Sequence, residues 1–310
     1  MNVLRATKLD SFFDRKNGWS GADGVYAYKH RGGYLFYFSD TVLSNDEEGE
    51  RVNFELVHNS FAFTDSLFQK ASFYYDRPAL LSPIDHSEFY WLMDGVKEDG
   101  TLYLFALRVS EGDERAPFYL KGTDLLKIDL SDLAHLKAKV IASFSAEVIY
   151  GSAIIKEKDA YYLFCYRDTQ PKETILAKTL SLDDPHFLFY QEDGTYKESS
   201  FEAKAISTFL PAETKIHHYK DRYYIAYSPN GISKEIRLTS CSQLGETLLE
   251  GELVYMCPEA NDTDITYNAK IQSELSFDNH FLISYHVNSL NSKRVETTYL
   301  YRPHFLEVIL

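Results

Sequence analysis

A chain of 310 residues with 45% hydrophobic and 25% charged residues is long enough for a large core and too apolar to stay disordered. Its formal net charge of −14 argues against a nucleic-acid or anionic-membrane surface, where clustered Lys and Arg would dominate. The cysteines Cys165, Cys241 and Cys257 show no ligand spacing, so reduced structural thiols in a reducing compartment are expected.

The first ten residues, Met1 to Asp10, hold no apolar leader core, and no run approaches bilayer-spanning length. The expectation is a cytoplasmic protein. A leader removed beforehand would leave the same appearance, and the chain would then be secreted. Aromatic residues are the compositional signal: 24 Tyr and 21 Phe against 2 Trp lean towards a pleated, half-buried surface. Polar-tipped tyrosines also suit a wall on which sugars stack, although sheet packing accounts for most of them.

Along the chain one unit recurs: a strand opening with small or polar residues, a charged or glycine-containing turn, then an aromatic strand. The first runs from Ala22 through a turn at Lys29–Gly33 to Tyr34–Asp40. The second runs from Asp94 through Lys97–Gly100 to Leu102–Arg108. The third runs from Gly151 through Lys156–Asp159 to Tyr161–Arg167. The fourth runs from Glu213 through Lys220–Asp221 to Arg222–Tyr227. The fifth runs from Asn268 through Phe277–Asn279 to His280–Tyr285. The anchors Tyr34, Tyr103, Tyr161, Tyr223 and Phe281 recur at roughly 60-residue intervals, the spacing of a four-stranded propeller blade. Ser60–Phe63, Thr174–Ala177, Glu235–Leu238 and Thr297–Leu300 are expected as third strands.

The fold expected is therefore all-β, a five-bladed β-propeller forming one domain over residues 1–310. Its blades fall near 18–65, 85–130, 145–182, 205–242 and 263–303. A sandwich of similar strand count would not predict five matched hairpins. Asp124–Leu136 has partly helical spacing with Ser131 and Asp132 as available caps, and is expected as a short helix between blades.

In a propeller the innermost strands face a central channel, which gathers Asp23, Asp94, Ser152, Lys215 and Asn268 around one pocket fit for a small molecule. If the first turn is centred between Arg31 and Gly32, Asp23 lies directly opposite Asp40. Opposed residues share a sheet face with Cβ atoms roughly 4.5–5.5 Å apart. Two carboxylates that close repel, so one keeps its proton while the other stays ionised. Glycosidic cleavage needs that division, and the spacing is nearer the retaining class, about 5–5.5 Å, than the inverting one. The plainer account makes Asp23-Gly24 a bulge and Asp40-Thr41 a loop cap.

Other candidates are His58 and Asn59 at the pocket rim, Trp91 as a sugar platform, and Tyr150, Ser152, Arg167, Asn268 and Lys270 as substrate contacts. Arg108, Arg167 and Lys270 could hold the carboxylates charged; packing and inter-blade ion pairs are the plainer readings. The sequence holds no H-E-x-x-H, P-loop, dinucleotide fingerprint or G-x-S-x-G; no cofactor is expected, no metal ligand is assigned, and a bound metal is not readable. The partner expected is a small glycan, with no nucleic acid and no membrane; the oligomeric state is not readable.

Gly18-Trp-Ser-Gly-Ala-Asp-Gly24 followed by Tyr34-Leu-Phe-Tyr-Phe-Ser-Asp-Thr41 resembles the signature of bacterial five-bladed propellers of unknown function, whose relatives include endo-D-arabinanases. His58-Asn-Ser60, Phe89-Tyr-Trp-Leu-Met-Asp-Gly95, Tyr150-Gly-Ser-Ala153, Tyr166-Arg-Asp168, Ser228-Pro-Asn-Gly231, Tyr267-Asn-Ala-Lys270 and Ser284-Tyr-His-Val-Asn288 continue the match in order, to Tyr301-Arg-Pro303. The resemblance implies glycoside hydrolysis, with Asp23 as nucleophile or base and Asp40 as general acid/base. The more distant furanosidase and fructosidase propellers imply an assisting Asp at Asp94. They also carry a Glu acid on blade three, where this sequence reads Tyr150-Gly-Ser152; Glu147 is near but not in place, which shifts the acid role to Asp40. The rival reading is a carbohydrate-binding propeller without turnover.

Overall fold

Each of the five hairpin turns forms by the same device. The first central residue takes a left-handed backbone, with φ of 45° at Arg31, 50° at Asp99, 54° at Lys158, 53° at Lys220 and 48° at Asp278. Tight turns with positive φ match the right-handed twist of the strands they join. The strands so joined are Tyr26–His30 and Gly33–Phe38, Glu88–Glu98 and Thr101–Glu111, Ile149–Glu157 and Ala160–Arg167, and His217–Tyr219 and Arg222–Tyr227; in the fifth, a 3-10 segment, Ser273–Leu275, lies between Asp264–Ile271 and the turn into His280–Ser289. A computed structural model describes residues 1–114, 116–291 and 297–310. Arg115 and residues 292–296, which fall in the second and fifth expected blades, lie outside the described residues.

The chain forms two compact units. The first comprises Met1–Leu80, Ile225–Leu238 and Glu252–Leu310; the second comprises Leu81–Tyr224 and Thr239–Gly251. In the first unit, Tyr26–His30, Gly33–Phe38, Ser60–Asp65 and Ala71–Tyr75 form one four-stranded antiparallel sheet. Between its second and third strands the chain detours through Thr41–Glu47 and Glu50–Val57, which pair with Asn17–Ala22 as a three-stranded sheet. Asp264–Ile271, His280–Ser289 and Arg302–Ile309 form another sheet. Its fourth strand is Asn2–Arg5 from the other end of the chain, with Asn2 opposite Ile309 and Arg5 opposite Leu306.

Arg5 fastens that strand by donating to Asp10 (2.7 Å) and Glu259 (2.6 Å). The short helix Thr7–Phe12 follows and delivers Phe13, fully buried, against Phe36 (5.2 Å between ring centres), Trp19 (5.8 Å) and Phe305 (5.6 Å). Each such side chain contributes about 1.5–3 kcal/mol on leaving water, so this aromatic plug is a main source of the unit's stability.

In the second unit, Glu88–Glu98, Thr101–Glu111, Phe118–Asp129 and Ala138–Ser145 form a meander in chain order. Ile149–Glu157, Ala160–Arg167 and Glu173–Thr179 form a second sheet, extended by short strands after Thr179. Phe105, Leu125, Leu163, Cys165 and Ile175 fill its core.

Three expectations are corrected. Asp124–Leu136 is not a helix: Phe118–Asp129 is one strand, and only Leu133–His135 makes a 3-10 turn, capped by Asp132 accepting from the Ala134 amide (3.0 Å). Burial of consecutive residues on both faces of that strand defeats its weak helical period. Thr297–Leu300 is turn, and the third strand of its sheet is Arg302–Ile309. The opening strand of the fourth hairpin begins at His217, not Glu213. Among the described residues, no helix is long and apolar enough to cross a membrane.

Candidate active site

The first hairpin holds one register across two sheets. Tyr26 opposes Tyr37 in one, and Ala22 opposes Thr41 in the other, so Asp23 and Asp40 face each other where the strands pass between sheets. The Asp23 amide donates to the Asp40 carbonyl (3.1 Å), and the Ser39 amide donates to the Asp23 carbonyl (2.9 Å). Asp23 thus bonds two successive residues of the opposite strand, a kink in which Gly24 takes φ of 63°; a Cβ there would stand 2.6 Å from Ser39 Oγ. Glycine permits the kink at which the two residues oppose each other.

Their partners differ. Asp40 is buried, and its Oδ1 lies 3.1 Å from His58 Nδ1. His58 sits on the loop between Glu50–Val57 and Ser60–Asp65, its amide donating to the Pro78 carbonyl (3.0 Å). Ser60 braces the floor, accepting from Trp19 Nε1 (3.1 Å) and lying 2.8 Å from Thr41 Oγ1. Asp23 is half-buried, and its Oδ2 accepts from the Tyr267 hydroxyl (3.2 Å). Tyr301 adds a second phenol: burial first, then the charges of Asp23 and Asp40, push it well above its ordinary value. It stays protonated and can only donate to the carboxylate.

Two of the candidates support this wall from behind. Asn268, the residue after Tyr267, takes φ of 55°, a conformation Asn tolerates better than most residues. Lys270 is fully buried with its Nζ 4.0 Å from the centre of the Tyr26 ring. His286 opposes Tyr267 across the strands, with ring centres 5.6 Å apart. Burial, then Lys270 and His304, hold His286 well below its usual value and therefore neutral. Asn59 is buried completely.

The remaining candidates lie in the second unit in different surroundings. Asp94 is fully buried; its Oδ1 accepts from Lys215 Nζ (2.7 Å) and its Oδ2 from the Ile154 amide (3.0 Å). Ser152 is buried near Thr214 (3.4 Å between hydroxyls). Tyr150 stacks on Phe144 at 4.2 Å, and Trp91 stands edge-on to Phe118 at 5.0 Å. Arg108 pairs with Asp124 (3.1 Å) and Glu88 (3.3 Å) rather than holding a candidate carboxylate. Arg167 likewise pairs with Glu173 (2.7 Å) and donates to the carbonyls of Ser200, Phe201 and Ala203. It lines a shallow cleft of about 530 Å³ with Glu147, Asp168 and Phe201.

Sequence reasoning selected Asp23, Asp40 and His58 but passed over Tyr267 and Tyr301 as site residues. Tyr267 stood in a quoted motif, one position before the candidate Asn268. Tyr301 lies far along the chain from its neighbours here and stood only in the last quoted motif, with no role attached to it. Among the described residues, no three His, Cys, Asp or Glu side chains converge as metal ligands would.

A family model described as a domain of unknown function, DUF5005, matches residues 6–309. The chain belongs to that family. No curated protein matches it. Among solved structures, a Bacteroides ovatus protein described as a candidate hydrolase is 17% identical, with a TM-score of 0.79 over 99% of this chain and 90% of its own. A family 117 glycoside hydrolase of Zobellia galactanivorans is 10% identical, with a TM-score of 0.57 over 99% and 90%. A GH43_1 enzyme from Xanthomonas citri is 17% identical, with a TM-score of 0.52 over 97% and 92%. At such identities the likeness concerns fold alone: this DUF5005 chain shares the all-β, propeller-type architecture of family 43 glycoside hydrolases.

Proposed function

We propose that this DUF5005 protein is a glycoside hydrolase acting on a small glycan of the arabinan or other furanoside kind, with Asp23 and Asp40 as its catalytic carboxylates. The five hairpin-headed sets of strands are the blades of one propeller domain. The observation that carries the reading is the opposed pair with unlike partners, phenols on Asp23 and an imidazole on Asp40. Phenols are neutral donors that favour the ionised carboxylate, which suits Asp23 as nucleophile or base. Asp40, held by His58 on the other side of the pair, is left as the general acid. As the glycosidic C–O bond breaks, Asp40 gives its proton to the departing oxygen. Asp23 attacks the anomeric carbon or takes a proton from the water that does so.

Relatives in fold support the class: one Xanthomonas citri GH43_1 structure holds xylotriose, and an arabinanase of Bacillus subtilis aligns over 94% of this chain. The test is release of reducing sugar from a panel of furanosides and oligosaccharides by wild type, Asp23→Asn and Asp40→Asn. Loss of turnover in both folded variants supports the pair. Activity that survives both overturns it, and sugar binding without turnover replaces the enzyme with a binding module.

A further inference from the structure

We propose that Tyr267 and Tyr301 are positioning residues, a phenol clamp that fixes Asp23 as the ionised member of the carboxylate pair. The inference rests on the paired-carboxylate reading and deepens it. Tyr267 reaches Asp23 Oδ2 at 3.2 Å, and Tyr301 is a buried phenol on which Asp23 is the foremost charge acting. Both phenols are aimed by unusual backbone. Tyr301 itself takes φ of 55°, and the residue after Tyr267, Asn268, takes the same value. A bulky side chain in the left-handed region persists only where its surroundings over-determine it, and such residues cluster at functional sites.

The surroundings of Tyr301 do this. Its amide donates to the Val287 carbonyl (2.7 Å). Its own carbonyl lies so close to Gly21 that a Cβ there would stand 2.1 Å away. The preceding Leu300 carbonyl accepts from Arg51 Nη2 (2.8 Å), which also binds the Ser20 carbonyl (2.8 Å). Ser20 and Gly21 belong to the strand that leads into Asp23, so the phenol and the carboxylate are set by one backbone frame. Tyr267 is backed by the neutral His286 ring.

The chemistry distinguishes a clamp from a salt bridge. A cation would hold Asp23 charged but cancel its charge; two phenols orient it and leave the charge available for attack. The charged and titratable groups facing Asp23 are Asp40 with His58 across the hairpin, Tyr267 from the fifth hairpin and Tyr301, behind which lies Arg51. Burial first, then Arg302, lowers Arg51 to about 10.

The test follows the aspartate carboxyl carbons by NMR through a pH titration of the full chain, as wild type, Tyr267→Phe and Tyr301→Phe. Phenylalanine keeps the ring and removes only the donor. The Asp23 midpoint is expected to rise by about one pH unit for each phenol lost, a tenfold change in its acid constant, and Asp40 to move less. An Asp23 midpoint unmoved in a folded variant overturns the clamp, as does a larger shift at Asp40. Tyr267→Phe carries the test should Tyr301→Phe fail to fold. Because the readout needs no turnover, a clamp without sugar cleavage would sink the hydrolase reading alone. Where turnover is found, kcat should fall about tenfold with little change in KM.

Discussion

Asp94 and Asp23 both lie on the first arm of a tight hairpin, yet the molecule treats the two carboxylates in opposite ways. Asp94 is 0% exposed and faces a Lys215 ammonium only 5% exposed, with a backbone amide on its second oxygen. Its charge is cancelled where it stands, and a sugar hydroxyl would have to displace a buried ion pair. Asp23 keeps one edge in solvent and is met by phenols, while its neighbour Asp40 is met by an imidazole. Neutral or titratable partners orient a carboxylate without discharging it. A buried cation makes it structural.

The comparison breaks most decisively on turnover. Asp23→Asn should lower kcat by about a thousandfold or more and leave the unfolding free energy within about 1 kcal/mol of wild type. If Asp94→Asn were folded and equally inactive, the contrast between the two carboxylates would collapse.

On stability the order reverses. Lys215→Met strands a buried carboxylate and should cost about 3–5 kcal/mol in denaturant unfolding. The double variant Asp94→Asn, Lys215→Met should recover much of that loss; no recovery would mean that the ion pair is not the cause. Gly24→Ala is a smaller perturbation, about 1–2 kcal/mol, because it forces a Cβ into a left-handed position against Ser39. It should also reduce turnover by displacing Asp23, and a variant of wild-type rate would show that the kink is not what sets the pair.

The smallest effect concerns acid. Burial, with Arg302 and Arg5 next, lowers His304 in the first unit to about 3; burial, with His218 and Lys215 next, lowers His217 in the second to about 4. A depressed histidine binds its proton more readily once unfolded. Stability is therefore full above about pH 6.5 and drains away as pH falls towards those values. Melting temperatures recorded from pH 7 to pH 4 should decline, and His304→Gln should flatten the slope. An unchanged slope would place the acid sensitivity elsewhere.

Much of the local fold was legible because turn chemistry and aromatic runs are local. Lys-Asp, Asp-Gly and Arg-Gly turns announce hairpins, and the register counted from Arg31-Gly32 was enough to oppose Asp23 and Asp40. The detour through Thr41–Val57 was not legible, since its strands match the hairpin pattern without belonging to it. The helical period of Asp124–Leu136 misled because Leu125, Leu126 and Ile128 are all buried, which a strand covered on both faces also allows. Candidates such as Trp91 and Tyr150 have the right residue types for a sugar platform. What places them against Phe118 and Phe144 is packing between neighbouring strands, which residue type does not encode. Tyr301 is the reverse case: its importance comes from a backbone conformation imposed by Gly21 and Arg51, residues about 250 positions or more away along the chain.

The pairing of Asn2–Arg5 with Arg302–Ile309 has a consequence for how the chain is made. On the ribosome the first strand emerges before any of its partners exist, and its edge must wait until residue 302 and beyond have left the exit tunnel. The sheets of the second unit join segments close in sequence and can form as they are synthesised; the sheet that receives the N-terminal strand pays the loop closure of the whole chain. Closure of this sheet should therefore wait for its last strand. A ribosome stalled before the last strand would hold a protein with most of its sheets formed and one strand still unclaimed.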